Sequence, residues 1–347
     1  MRVTIKEIAR ELGLSHSTVS RVLNDRQSAM VSEATKDRIV SAAKSMGYRP
    51  NRIAQALKGA RSGLIGVFMP ESQEYFFSEV LFHLRQFVEE AGYELIPFSC
   101  SPLNVEERWL KLLRWDLEGV LVFDYLLFAD GLGQALLQHR GFVPPIVGLF
   151  NPSSQLEDFV ALDFAPAMGQ LLDHIVDGGA RSIGYAAVPG SFQSAEQRYS
   201  CFQRFMIAHG LPQVRIDVVG GSTLSESARL STADLLAAGE GLPEAIFCQN
   251  DEIALGVYKA LRDAGIEIPR DVMIAGCDNV PYMAYLDTPL TTLSLPVEEA
   301  CRIACMALHQ RITEPEQPHV RRMMEATVVT RASTSRSIRY EDSAVPV

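Results

Sequence analysis

The sequence predicts an α/β protein in two parts: a small all-α head with a helix-turn-helix, then a body of two doubly wound parallel-sheet lobes. Three observations predict it. Apolar residues in the first sixty positions recur at helical spacing and are interrupted by turn residues. From residue 63 onward, short apolar runs alternate with longer amphipathic stretches, as in a parallel sheet covered on both faces. Charge divides at the same point. Residues 1–62 hold 12 Lys/Arg against 5 Asp/Glu, a net +7, and the remainder holds 20 against 37, a net −17. A basic head on an acidic body suits a head that meets a polyanion and a body that does not.

Composition excludes several classes. A chain of 347 residues with 47% hydrophobic and 21% charged residues buries a core and is not disordered. The longest apolar runs, 119–123 and 144–150, fall far short of the roughly 20 residues that cross a bilayer. Arg2, Lys6, Glu7, Arg10 and Glu11 are interspersed at the start, where a secretory leader would be apolar. The expectation is a cytoplasmic protein with no membrane partner. None of the six cysteines forms a CxxC pair, and no His stands at zinc spacing from one, so neither metal nor cofactor is expected.

The head justifies its elements in order. Thr4 and Glu7 form a T-x-x-E capping box, after which Ile5, Ile8, Ala9 and Leu12 make one apolar stripe. Gly13 supplies the left-handed residue that stops this helix. Ser15 caps a second helix from His16 to Leu23, with Val19, Val22 and Leu23 inward. Ser32 caps a third, in which Ile39, Ala42, Ala43 and Met46 keep the period. Two short helices around a glycine turn make a helix-turn-helix. The outward residues of the second helix, His16, Ser17, Ser20 and Arg21, are small or donor-bearing, as suits a helix in a major groove.

In the body, strands are expected at 64–69, 93–98, 119–123, 146–150, 159–163, 182–188, 216–219, 245–248 and 272–277. Helices are expected at 77–91, 105–115, 168–176, 197–209, 225–237 and 253–264. Nine strands over this length imply two sheets, with the break near 160–163. Ligands in open α/β sheets bind at strand carboxyl ends, so residues just after strands are the candidates.

The residues also carry a resemblance. Residues 4–24 (TIKEIARELGLSHSTVSRVLN), 31–36 (VSEATK) and 47–58 (GYRPNRIAQALK) resemble the head of LacI-type bacterial transcription regulators. The body segments RSGLIGVFMP, FFSEV, IFCQNDEIALG and IPRDVMIAGCDNVP are similar to that family's effector core, itself similar to periplasmic sugar-binding proteins. The resemblance implies residues 1–48 as the DNA-binding domain and 49–62 as a hinge helix with its linker. It implies lobe 1 from 63–160 plus 293–320, lobe 2 from 161–292 plus 321–333, and a polar tail at 334–347.

For DNA, the matching positions are Thr4, Lys6, His16, Ser17, Thr18, Ser20, Arg21, Asn24 and Tyr48 in the head. In the hinge they are Asn51, Ala54, Leu57 and Lys58, with Leu57 as the wedge that kinks the minor groove. The loop 25–30 is about two residues longer than the family's usual one. For the effector they are Phe76, Phe77, Asp124, Phe150, Asp163, Arg198, Asn250 and Asp278. Asn250 is read mainly as a ligand contact and Asp251 mainly as a helix cap. Phe164 and Cys201 depart from the family's polar or glycine residues, and with Phe150 make the cleft more apolar.

The implied function is a sequence-specific repressor that binds a pseudo-palindromic operator as a homodimer or a dimer of dimers. Its small-molecule effector is sugar-like, with a purine-like or aromatic ligand, or an effector-free interaction core, as the alternatives. No catalytic motif is present: Gly131 and Gly133 lack the third glycine of a dinucleotide fingerprint, and no P-loop, nucleophile elbow or H-E-x-x-H occurs.

Overall fold

The computed structural model describes residues 3–24, 31–48, 62–72, 74–100, 115–123, 143–150, 156–190, 193–239 and 241–336. The chain divides into two compact units, 1–62 and 63–347.

The first unit is built of α1 (Ile5–Leu12), α2 (His16–Asn24) and α3 (Glu33–Ser45). The Glu7 carboxylate accepts from the Thr4 N–H at 2.7 Å and from its hydroxyl at 2.9 Å. These bonds hold Glu7 below the usual carboxylate range. Gly13 is left-handed (φ 63°) and closes α1, as expected. Ser15 Oγ accepts the Thr18 N–H and Ser32 Oγ accepts the Thr35 N–H, so both serines cap as read from sequence. Ile8, Ala9, Val19, Val22, Ile39 and Ala43 form the buried core of this unit, drawn from all three helices.

The second unit contains two six-stranded sheets. The first is formed by β1 (Leu64–Pro70), β2 (Glu94–Cys100), β3 (Gly119–Phe123), β4 (Ile146–Phe150), β5 (Asp158–Asp163) and β11 (Arg321–Glu325), in the order β11-β5-β4-β3-β1-β2, all parallel. The second is formed by β6 (Ile183–Ala187), β7 (Gln213–Asp217), β8 (Ala245–Cys248), β9 (Met273–Cys277), β10 (Thr291–Ser294) and β12 (Thr327–Val329), in the order β12-β10-β9-β8-β6-β7. Among the described strands only β12 runs antiparallel to its neighbour. In each sheet the order reverses beside the first strand, β1 or β6, and at such switch points strand-end loops splay to leave a crevice.

Among the described residues, the helices with the first sheet are α4 (Tyr75–Glu90) and α9 (Val297–Thr313). With the second lie α5 (Ala165–Asp177), α6 (Gln193–Ala208), α7 (Leu224–Ala237) and α8 (Asp251–Asp263). Gly256 lets α7 and α8 approach closely, because a β-carbon there would fall on the backbone of Ser225. No described helix is long and apolar enough to cross a membrane.

Sheet membership departs from the expected partition in four places. Strand β5 stays in the first sheet as far as Asp163, at the far end of the expected break at 160–163 and past the lobe boundary at 160. Strand β10 pairs with β9 in the second sheet, so the return to the first lobe begins at α9. Strand β11, expected in the second lobe, pairs with β5 from Arg321–Phe159 to Glu325–Asp163 in the first. The tail begins later than 334, because Thr334 is buried and its hydroxyl meets Thr291 Oγ1 at 2.7 Å. The cause at β11 is a clasp: Asp158 accepts from the Val320 N–H at 2.7 Å and from Arg311 Nε at 3.0 Å, fixing the entry of this strand. Strand β7 also lies three residues before its expected start, an edge strand whose alternating Gln-Val-Arg-Ile-Asp hides in an apolar-run reading. The expected helix at 105–115 falls almost entirely outside the described residues.

Candidate functional site

In the first unit, the exposed face of α2 carries His16, Ser17 and Arg21, with Ser20 half-buried beside them. The Ser15 hydroxyl lies 2.8 Å from both Ser17 Oγ and Thr18 Oγ1, so Thr18 belongs to the cap network while His16 and Arg21 are presented outward. Lys6 and Arg10 are exposed on α1. Tyr48 packs half-buried against the three-helix core. The side chain of Asn24, and Asn51, Ala54, Leu57 and Lys58, lie outside the described residues. A donor-bearing, basic helix face of this kind matches base-edge acceptors and phosphates.

In the second unit, strand ends from both sheets converge on a cavity of about 300 Å³. From the first sheet come Glu74, Phe76 and Phe77 after β1, Phe123 at the end of β3, and Phe150 at the end of β4. From the second come Val188 to Gly190 after β6, Gln249 and Asn250 after β8, and Asp278 after β9. Arg198 reaches in from α6, and Phe164 closes the side where the chain crosses between sheets.

The wall on the first lobe is aromatic. Phe76 meets Phe150 at 5.6 Å and Phe123 at 6.0 Å, both edge to face, and Phe123 meets Phe150 at 5.1 Å. Phe77 is buried behind them, 5.0 Å from Phe123. Such edge and offset geometries are the favourable ones for π systems. Phe150 holds a left-handed backbone (φ 65°), as do Asp278 (φ 116°) and Asn279 (φ 56°). Strained non-glycine residues persist where surrounding structure over-determines them, and two of these three line the cavity.

The opposite end is polar. Asn250 Oδ1 caps α8 by accepting the Ile253 N–H at 2.9 Å, and its Nδ2 donates to Glu74 Oε2 at 2.7 Å across the lobes. Gln249 Oε1 accepts the Val188 N–H at 3.1 Å. Arg198 is buried, stacks over the Phe164 ring at 5.1 Å, and donates to Cys277 Sγ at 3.6 Å. Burial pushes the Asp278 carboxyl well above the usual range, against the pull of Arg198; Asp251 and Glu74 push it further. Glu74 is raised too, by burial, against its bonds from Ser72 and Asn250 and the charge of Arg198.

Six of the eight expected effector residues thus meet here: Phe76, Phe77, Phe150, Arg198, Asn250 and Asp278. Asp124 lies outside the described residues. Asp163 is not in the lining; its Oδ1 accepts the Ala165 N–H at 2.9 Å, so it holds the start of α5. Asp251 is no cap: it is fully buried and accepts from the Val280 N–H at 2.8 Å and Thr292 Oγ1 at 2.7 Å. The cap is Asn250. Glu74 and Phe123 were missed. The expected helix begins at Phe77, which leaves Glu74 outside it; Glu74 occupies the N-cap position of α4, yet its side chain makes no capping bond. Among the described residues no group of three or more His, Cys, Asp or Glu is placed to hold a metal ion.

Residues 4–51 match the profile of bacterial regulatory proteins of the lacI family, and residues 172–334 match the periplasmic binding protein-like domain. The HTH-type transcriptional repressor PurR of Vibrio parahaemolyticus is 31% identical over 93% of this chain and 95% of its own length. The chain belongs to the LacI family of bacterial regulatory proteins. PurR of Photobacterium profundum is 30% identical over 93% of the chain and 95% of its length. Among solved structures, a Lacl-family transcriptional regulator from Silicibacter pomeroyi aligns with a TM-score of 0.80 at 27% identity, covering 96% of this chain and all of that one. The lac repressor dimer bound to operator and an anti-inducer aligns with a TM-score of 0.81 at 23% identity, over 96% of this chain and 99% of that one, a likeness of fold. This LacI-family member is a DNA-binding transcriptional repressor and not an enzyme.

Proposed function

We propose that this repressor is controlled by a planar aromatic effector with a hydrogen-bonding edge, a purine base or nucleoside in kind, held in the cleft between the two lobes. The observation that carries the reading is the division of the cavity. Phe76, Phe123 and Phe150 form one cluster of rings in the lining, while Glu74, Arg198, Asn250 and Asp278 supply its polar groups, with Arg198 stacked over the Phe164 ring. A flat ring gains from stacking on the aromatic wall and satisfies its polar edge at the far end. A hexose or ribose carries hydroxyls around its whole rim, and burying several of them unpaired against phenylalanine costs about 1–3 kcal/mol each. The sugar-like effector put first in the sequence reading is therefore the less favoured choice. The purine-like alternative has the better fit to these residues, and the PurR name of the relatives agrees with it.

The protein acts as a homodimer whose two heads read the halves of a pseudo-palindromic operator in successive major grooves. His16, Ser17 and Arg21 supply base choice, and Lys6 and Arg10 supply phosphate contacts whose strength falls with salt. Effector binding changes lobe closure, and closure biases the population able to hold DNA. A thermal-shift panel of purine bases, nucleosides, ribose and hexoses tests the class, because a ligand of the folded state raises the melting temperature by mass action. Purine-type rings are expected to raise it. A rise with sugars alone would overturn the reading.

A further inference from the structure

The acceptor that joins the lobes is not one of the residues the family resemblance singled out. Glu74 follows β1 in the first lobe and Asn250 follows β8 in the second, and Nδ2 of Asn250 donates to Glu74 Oε2 at 2.7 Å. Ser72 Oγ donates to the other oxygen, Oε1, at 2.7 Å, which fixes the carboxylate in rotation. Glu74 stands at the N-cap position of α4 yet gives no bond to that helix. Its side chain has been turned from the local role into the cleft, where it lines the cavity. One residue further out, Tyr75 meets Tyr282 of the second lobe edge to face at 6.1 Å, so the contact at Glu74 continues to the rim.

A carboxylate offers about four acceptor sites on its two oxygens, and Ser72 and Asn250 use two. We infer that Glu74 is both the inter-lobe latch and the effector-selecting acceptor of this core: it ties the first lobe to the second through Asn250 and turns its remaining lone pairs to the cavity, choosing ligands with an N–H-rich or cationic edge. The choice of ligand edge rests on the aromatic-effector reading; the latch does not. Recognition and closure then run through one carboxylate. A donor on the ligand engages a group already bridging the lobes, and a ligand with an acceptor there meets repulsion.

The test uses the full-length protein and two readouts. Asn250→Asp keeps the α8 cap, since aspartate caps as well as asparagine, but sets a second carboxylate against Glu74. Hydrogen exchange of the amides at 188–190 and 249–250, measured without ligand at neutral pH, is expected to speed up about tenfold. The swap Glu74→Gln with Asn250→Asp restores a donor–acceptor pair of reversed polarity and is expected to slow exchange again. Unchanged exchange in Asn250→Asp, or no rescue in the swap, would overturn the latch.

The second readout is calorimetry with adenine and with unsubstituted purine, which differ by one amino group. The wild type is expected to favour adenine by about tenfold, and Glu74→Ala to lose that preference while still binding the ring. A preference that survives Glu74→Ala would overturn the selecting role. If neither ring binds the wild type, the aromatic-effector reading fails along with the selecting role, and the exchange comparison still decides the latch.

Discussion

Phe76 and Phe150 face each other edge to face at 5.6 Å, one from the first turn of α4, just after β1, and the other from the last residue of β4. The pair exists because the parallel sheet brings the ends of β1, β3 and β4 side by side, with Phe123 between them. Removing one ring leaves the sheet register intact and takes away part of the effector's wall. Phe76→Ala is expected to lower effector affinity at least about tenfold, roughly 1.4 kcal/mol, with operator affinity in the absence of effector unchanged. Calorimetry on the variant and an operator titration read the two quantities.

Arg198 is the buried cation at the polar end, between Phe164, Cys277 and the carboxyls of Asp278 and Glu74. Arg198→Ala is expected to abolish the effector response while leaving operator binding intact. A lysine at this position offers neither the planar stack on Phe164 nor the fork of donors, so Arg198→Lys is expected to recover little. Reporter induction with operator-binding controls checks both variants.

The clasp at β11 makes a stability prediction. Asp158 is buried and Arg311 partly buried beside it, joined at 3.0 and 3.3 Å. Burial pushes the Asp158 carboxyl up, but Arg311, the Val320 N–H and His319 outweigh it and hold it below the usual carboxylate range. A depressed folded value means that this stability is present above the unfolded value near 3.8 and is lost as pH falls through the folded one. Arg311→Ala leaves a buried charge uncompensated and is expected to cost about 3–5 kcal/mol. Denaturant unfolding at neutral pH is the measurement, and a change under 1 kcal/mol on the same scale would show the pair to be dispensable.

Asp251 behaves in the opposite sense. Burial raises its carboxyl to about 7, against the bonds from Thr292 and the Val280 N–H. The folded protein therefore holds a proton that the unfolded chain releases, and stability declines as pH rises from about 4 to about 7. Asp251→Asn keeps an acceptor for the Val280 N–H and an amide for the Thr292 hydroxyl. It is expected to flatten this slope, whereas Asp251→Ala orphans the Val280 N–H and costs about 1–3 kcal/mol. Melting temperatures across that pH range distinguish the three proteins.

Much of this was legible in the sequence because the signals were local. Caps at Thr4, Ser15 and Ser32 declared the head, and apolar runs at 119–123, 146–150 and 245–248 declared strands to the residue. What escaped was set by tertiary pairing. Arg321–Glu325 is an exposed, charged edge strand, so only its partner β5 reveals which lobe it serves. Asn250 and Asp251 are adjacent polar residues at one helix start, and nothing local says which caps and which is buried. Glu74 stands three residues before the expected helix, and only the fold brings Asn250 of the second lobe to it.

On the head, Arg21 stands exposed in the last turn of α2. Arg21→Ala is expected to cost about 1–3 kcal/mol on the specific operator and less on random DNA. Leu57→Ala, at the position for which the family resemblance implies the minor-groove wedge, is likewise expected to weaken specific binding far more than non-specific binding. Equal losses on both kinds of DNA would remove the base-reading and wedge roles.

The most direct test of the account is an operator titration of the wild type and Arg198→Ala, each with and without the purine-type ring that most stabilises the wild type. The account predicts that the ring changes operator affinity in the wild type and leaves that of the variant unchanged. Equal changes in both proteins, or a change produced by sugars alone, would contradict an aromatic effector held in this cleft.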